Sequence, residues 1–244
     1  MTSSENMQSL IQHLEELRKR LIICVICVFA ATVMGFTLAD RLHKLLLRPA
    51  GNLELIFVSP PEALMANFRL AFMAGLVMAM PLLLYQLLAF ILPGLYKDET
   101  KVIIPAVLAM VVFFALGVGF AYFTVFPFAI QFFINFASET VSPMFTISNY
   151  LSFATSFLFG FGVVFQLPIL FWVLGRLGVV DAAFLRRHRK YAVLVIVIAS
   201  AVLTPPDVIS QAMMAGPLML LYELGILLVV LSRRTKRAAA ADKV

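Results

Sequence analysis

Two carboxylates stand out for the residues around them. Glu16 lies in the leader 7–21, where Met7, Leu10, Ile11, Leu14, Leu17 and Leu21 recur at helical spacing; Glu99 lies in the short stretch 90–101, with Phe90 and Tyr96 on its approach. A carboxylate held at an interface can take a guanidinium as a bidentate pair, a contact stronger than a lysine of equal charge provides. Both acids also have a local reading. Glu15 with Lys19 and Glu16 with Arg20 are i, i+4 pairs, worth about 0.3–0.5 kcal/mol each. Asp98 and Glu99 could cap the helix that follows, where negative charge complements the dipole.

A second group of polar residues interrupts apolar stretches, where such groups are costly and point to function. Glu223 is the clearest; Asp207 and Gln211 follow the turn Thr204-Pro205-Pro206, and Asp207 reads equally well as a helix N-cap. Gln86, Gln131 and Gln166 are isolated amides suited to hydrogen bonds between helices, worth about 1 kcal/mol each. His13, His43 and His188 lack metal-ligand spacing, and Cys24 and Cys27 sit in an apolar run without polar neighbours, so no metal or redox site is expected. No nucleophile elbow, phosphate loop or paired intramembrane acid is present, and neither an enzyme nor a cofactor is expected.

The elements that must position these groups follow from composition. The 244 residues are 62% hydrophobic and 13% charged, with 23 Phe and a mean hydropathy of +1.00, against about 45–50% apolar and about 25% charged in soluble domains. Too little polar surface remains to cover a water-soluble globule, so the chain reads as an all-α integral membrane protein. Apolar stretches of about 20 residues cross ~30 Å of hydrocarbon, and six candidates fall at 21–39, 64–92, 102–126, 151–174, 191–203 and 209–231.

The first is expected to stay attached rather than act as a cleaved signal, because a charged leader precedes it and Asp40 follows. The fifth covers only 13 residues, roughly 20 Å of helix. It should form a short hairpin with the sixth across the Pro205-Pro206 turn, thinning the bilayer or meeting partners. Pro81, Pro168 and Pro217 should bend the second, fourth and sixth helices.

All but four of the 19 basic residues fall on the side shared by the two termini, which by the positive-inside rule is the cytoplasm. Residues 1–20 are expected to lie on that interface as an amphipathic helix before turning into the spans 21–231. Residues 232–244 form a basic tail expected to lack order, and the net charge of +6 reports orientation and anionic lipid rather than nucleic acid.

Several motifs agree in order and spacing: His13-Leu14-Glu15-Glu16-Leu17-Arg18-Lys19-Arg20-Leu21; Pro49; Tyr85-Gln86 leading to Phe90 and to Leu95-Tyr96-Lys97-Asp98-Glu99; Phe120-Ala121-Tyr122-Phe123 with Phe126-Pro127; Tyr150-Leu151-Ser152-Phe153; and Leu203-Thr204-Pro205-Pro206-Asp207 with Ser210-Gln211. Over about residues 8–232 the chain resembles TatC, the core subunit of the twin-arginine protein translocase. The resemblance implies a cup-like scaffold of six spans, kinked, with short fifth and sixth helices and both termini cytoplasmic, in the cytoplasmic membrane of a bacterium or archaeon.

It further implies binding of twin-arginine signal peptides and export of folded proteins driven by the proton-motive force. TatA-type and TatB-type single-span partners would dock around the fifth and sixth helices in an oligomeric complex. Carried over by residue, Glu16 and Glu99 would pair with the signal's arginines, Phe90 would line the site, and His13, Arg18 and Lys97 would shape it. Asp207, Gln211 and Glu223 match polar positions of the last hairpin, and Pro49 the proline of the first outer loop; Gln166 stands where members often carry Glu, and an amide there can hydrogen-bond but not carry charge. The competing reading, a secondary transporter of small solutes, draws on Pro81, Pro168 and Glu223 but would require repeat symmetry and a midplane site.

Overall fold

The structure is a computed structural model that describes residues 3–51, 55–56, 58–91, 103–135, 144–203 and 208–241, with the side chains of 3–10, 50, 91, 203 and 233–241 outside that description. It is almost wholly helical. The helices are α1 (Ser3–Leu47), α2 (Pro60–Ile91), α3 (Ile103–Phe120), α4 (Phe126–Asn135), α5 (Ile147–Val164), α6 (Leu167–Arg176), α7 (Ala182–Arg187), α8 (Arg189–Leu203) and α9 (Val208–Ala241). Among the described residues, five stretches are long and apolar enough to cross a membrane: Ile11–Leu47, Pro60–Phe90, Ile103–Asn135, Ile147–Arg176 and Val208–Ser232. The 15-residue α8, at the place of the fifth expected span, is shorter than any of these.

Lipid-facing and core positions separate cleanly. Phe29, Ile104, Phe123 and Leu220 are more than 70% exposed, a costly arrangement in water and the natural one when acyl chains are the solvent. The centre is α5, whose Leu151, Ala154, Phe157 and Phe161 are fully buried. Phe126, Phe153, Phe157 and Phe161 run through it as a ladder of rings 5.0 to 6.3 Å apart.

Three expectations about helix ends need correcting. The leader does not turn into the first span: α1 is one 45-residue helix from Ser3 to Leu47, because no proline occurs before Pro49 to end it. The sixth helix is not short, since α9 runs 34 residues, through Pro217 and on through the basic segment expected to lack order, as far as Ala241. The three prolines also act differently. α2 and α9 pass Pro81 and Pro217 as unbroken helices, whereas the helix before Pro168 stops at Val164 and resumes at Leu167. There proline occupies the first turn of the new helix, a position with no intrahelical N–H bond to lose.

A further irregularity has no counterpart in the sequence reading. Between α3 and α4 the ladder widens to a π-helical turn over Ala121–Val125, with the Phe126 N–H donating to Ala121 O. Pro127 follows directly, and its ring and missing N–H disfavour a regular turn at that point.

Two features align the helices around the site. α1 and α2 approach closely where Gly35 faces Ala71 and Gly75 faces Thr32: a Cβ at either glycine would lie 2.5 Å from backbone of the other helix. At the end of the bundle opposite the chain's N-terminus, Tyr122 Oη and Tyr150 Oη donate to the carbonyls of Leu45 (2.8 Å) and Leu46 (2.7 Å). Those carbonyls belong to the last turn of α1, which has no intrahelical donors of its own.

At that same end Leu55–Ile56 pairs in parallel with Phe145–Thr146. The Glu62 carboxylate spans both segments, accepting from Val58 N (2.8 Å) and Ser148 N (3.3 Å). Pro49 is half-buried in the 3-10 turn Arg48–Ala50, closed by Gly51 at a φ of 63°.

Candidate functional site

The register set by the α1–α2 contact brings the start of the first span against the end of the second. His13 of α1 stacks on Phe90 of α2, ring centroids 4.4 Å apart and planes 19° from parallel. Less than two turns along, Arg20 Nε and Nη2 donate to Glu16 Oε1 at 3.0 and 2.5 Å, and Arg20 Nη1 donates to Gln86 Oε1 at 3.0 Å. Glu16 and Arg20 are partly buried, while Gln86 is 8% exposed. One guanidinium therefore joins a carboxylate on one helix to an amide oxygen on the other, beside a stacked aromatic pair. Chemically these acceptors fit a planar cation, with charge from Glu16 and a directed acceptor from Gln86.

Of the residues expected at a peptide site, the structure brings together His13, Glu16 and Phe90. Arg18 is exposed and, two positions from Glu16, does not share its face. Lys97 and Glu99 lie outside the described residues, in the connection that leaves α2 just after Phe90. Arg20 and Gln86 belong to the cluster although neither was expected there. The i, i+4 spacing of Gln86 and Phe90 is the signal that would have found the amide, since it places both on one face of α2.

The remaining polar residues have separate settings. Gln166, 9% exposed, sits at the break between α5 and α6 and donates through Nε2 to Met110 O (3.1 Å) and Gly162 O (3.3 Å). Because the Gln166 backbone N–H turns to Val163 O, the side chain supplies the bond that Gly162 O would otherwise lose. Its Oε1 is buried without a partner among the described residues.

Gln211 ties α9 to α8 through Nε2 to Val197 O at 3.1 Å. Glu223 is half-exposed and pairs with Arg189 Nη2 at 2.7 Å, level with the first turn of α8. Pro205, Pro206 and Asp207 fall outside the described residues.

A hollow of about 490 Å³ opens between α2, α3 and α5, lined by Val77, Pro81, Phe114, Val118 and Leu158, with Leu45 of α1 at its edge. Its lining is apolar, suited to a hydrophobic helix or acyl chain rather than a polar solute.

Comparison with known proteins adds independent findings. The family model described as Sec-independent protein translocase protein (TatC) matches residues 12–217. A relative from Carboxydothermus hydrogenoformans, named Sec-independent protein translocase protein TatC, is 41% identical over 221 residues, covering 89% of this chain and 91% of the relative. One of the same name from Desulforapulum autotrophicum is 38% identical over 232 residues, covering 93% and 86%. Among solved structures, a crystal structure of the twin-arginine translocase receptor TatC superposes with a TM-score of 0.81 at 36% identity, covering 91% of this chain and 99% of that one.

Proposed function

Because the chain belongs to the TatC family of Sec-independent protein translocase proteins, we propose that it is the receptor and scaffold subunit of a translocase that binds twin-arginine signal peptides and exports folded proteins. The observation that carries the proposal is the guanidinium held between Glu16 and Gln86 beside the His13–Phe90 stack. A site whose acceptors already fit a guanidinium separates arginine from lysine by fork geometry rather than by charge, as a twin-arginine signal requires. Glu99 would provide the second carboxylate, with Arg18 and Lys97 at the margin.

The chain is a multi-pass membrane protein. It is placed in the cytoplasmic membrane of a bacterium or archaeon with both termini inside, supported by the skew of basic residues toward the side the termini share. The proton-motive force supplies the energy, and the reading involves no catalytic step and no cofactor. TatA-type and TatB-type single-span subunits would dock on the α8–α9 hairpin, where Asp207, Gln211 and Glu223 offer polar contacts and Pro205-Pro206 makes the turn, and the working complex would be oligomeric. The apolar hollow favours this reading over transport of a polar solute.

The test is binding of a synthetic twin-arginine signal peptide to the detergent-purified chain, against its twin-lysine version and the variants Glu16→Gln and Glu99→Gln. Tight Arg-Arg binding, weak Lys-Lys binding and loss of the difference in either variant would support the assignment. Equal binding in all combinations would remove the site from these residues.

A further inference from the structure

The guanidinium subsite is not empty in the free chain. Arg20 fills it with three of its N–H groups, two on Glu16 Oε1 and one on Gln86 Oε1. Both acceptors therefore already serve a cation of the chemistry that the proposed signal brings. An incoming arginine can make the fork-to-fork contact only by taking both carboxylate oxygens, one of which Arg20 holds. A second guanidinium crowded onto one carboxylate would also bring two like charges together.

We propose that Arg20 is a resident, displaceable occupant of the Glu16–Gln86 subsite, so that the receptor's affinity for an arginine signal is set by exchange of one guanidinium for another. The inference rests on the receptor reading above and extends it, since it concerns the state of the site before the signal arrives. Geometry favours exchange over permanent occupancy. Glu16 and Arg20 share one helix at i, i+4, both are partly solvent-accessible, and such pairs hold weakly. Four residues of the same helix tether Arg20 nearby, so it returns when the signal leaves.

Occupancy by Arg20 acts on affinity rather than on selectivity. A lysine ammonium lacks the planar fork of a guanidinium and is the weaker ligand for these acceptors, but both cations meet the same closed fraction of sites, so the resident arginine lowers affinity without changing their ratio. The apparent dissociation constant equals the intrinsic one divided by the fraction of sites that are open, so a site open a tenth to a third of the time loses about three- to tenfold in affinity.

The experiment titrates the full-length detergent-purified protein with a twin-arginine signal peptide and its twin-lysine version, comparing wild type with Arg20→Lys, Arg20→Gln and Glu16→Gln. Exchange predicts that Arg20→Lys and Arg20→Gln each tighten Arg-Arg binding by about three- to tenfold and leave the Arg-Arg over Lys-Lys ratio as in wild type. Unchanged or weaker binding in Arg20→Lys overturns the proposal. A gain in Arg20→Gln alone would mean that removed charge is responsible, and a loss in both would mean that Arg20 only positions Glu16. Glu16→Gln separates the two levels: if it abolishes binding while the Arg20 variants behave as wild type, the receptor reading stands and exchange falls. If Glu16→Gln leaves binding untouched, both fall.

Discussion

The hydroxyl of Tyr150 donates to the main-chain carbonyl of Leu46 across 2.7 Å in a fully buried setting. It fastens the centre of the bundle to the last turn of α1, where that carbonyl has no helical donor. Tyr122 makes the equivalent bond to Leu45. Both tyrosines belong to motifs that the family resemblance picked out by sequence, and the structure explains them as helix caps delivered from other helices.

Tyr150→Phe keeps the ring against Phe126 but leaves the Leu46 carbonyl buried and unpaired. The expected cost is about 1–3 kcal/mol, read as a lower thermal midpoint of the detergent-purified protein. An unchanged midpoint would mean that water or a shifted backbone replaces the hydroxyl.

Gly75→Ala is expected to harm the peptide site although it lies well away from it. The added Cβ would fall 2.5 Å from the backbone of Thr32, so α1 and α2 must separate, and their register is what places Arg20 against Gln86. Signal-peptide binding and stability should drop together. Gly216→Ala, whose new Cβ would meet no described atom within 4 Å beyond its chain neighbours and its own helix backbone, should leave both intact and serves as the comparison.

Gln166→Glu tests the amide at the helix break. An ionised carboxylate has no N–H to give Met110 O or Gly162 O, and a neutral acid has only one O–H for the two carbonyls. We expect a loss of about 1–3 kcal/mol, measurable by thermal or denaturant unfolding in detergent. Equal stability would show that the break tolerates either group.

Arg189 and Glu223 join the two arms of the α8–α9 hairpin at 2.7 Å, but their side chains are 52% and 50% exposed. A double-mutant cycle on Arg189→Gln and Glu223→Gln should give a coupling of about 0.2–1 kcal/mol that shrinks at higher salt. A loss of export in Glu223→Gln larger than this coupling would assign the carboxylate a role beyond holding the hairpin, in keeping with its proposed place at a docking surface.

The membrane character, the number of crossings, the short fifth span and the family were legible from the residues alone. Hydropathy and charge act along the chain and add over about 20 residues, so they survive without knowledge of any neighbour. The motif spacing carried Glu16, His13 and Phe90 as well, which the structure brings to one cluster.

What the residues did not disclose depends on contacts between segments far apart in sequence. Glu16 and Arg20 read as an ordinary intrahelical pair until Gln86, 66 positions from Arg20, completes a guanidinium seat. That meeting requires the α1–α2 register set by Gly35 and Gly75, and helix register leaves no local mark. The different courses at Pro81, Pro217 and Pro168 likewise go beyond local propensity, since α2 and α9 run on through their prolines while the fourth span breaks just before its own. The sequence thus determined which groups exist and at what depth, and the tertiary structure decided which of them meet.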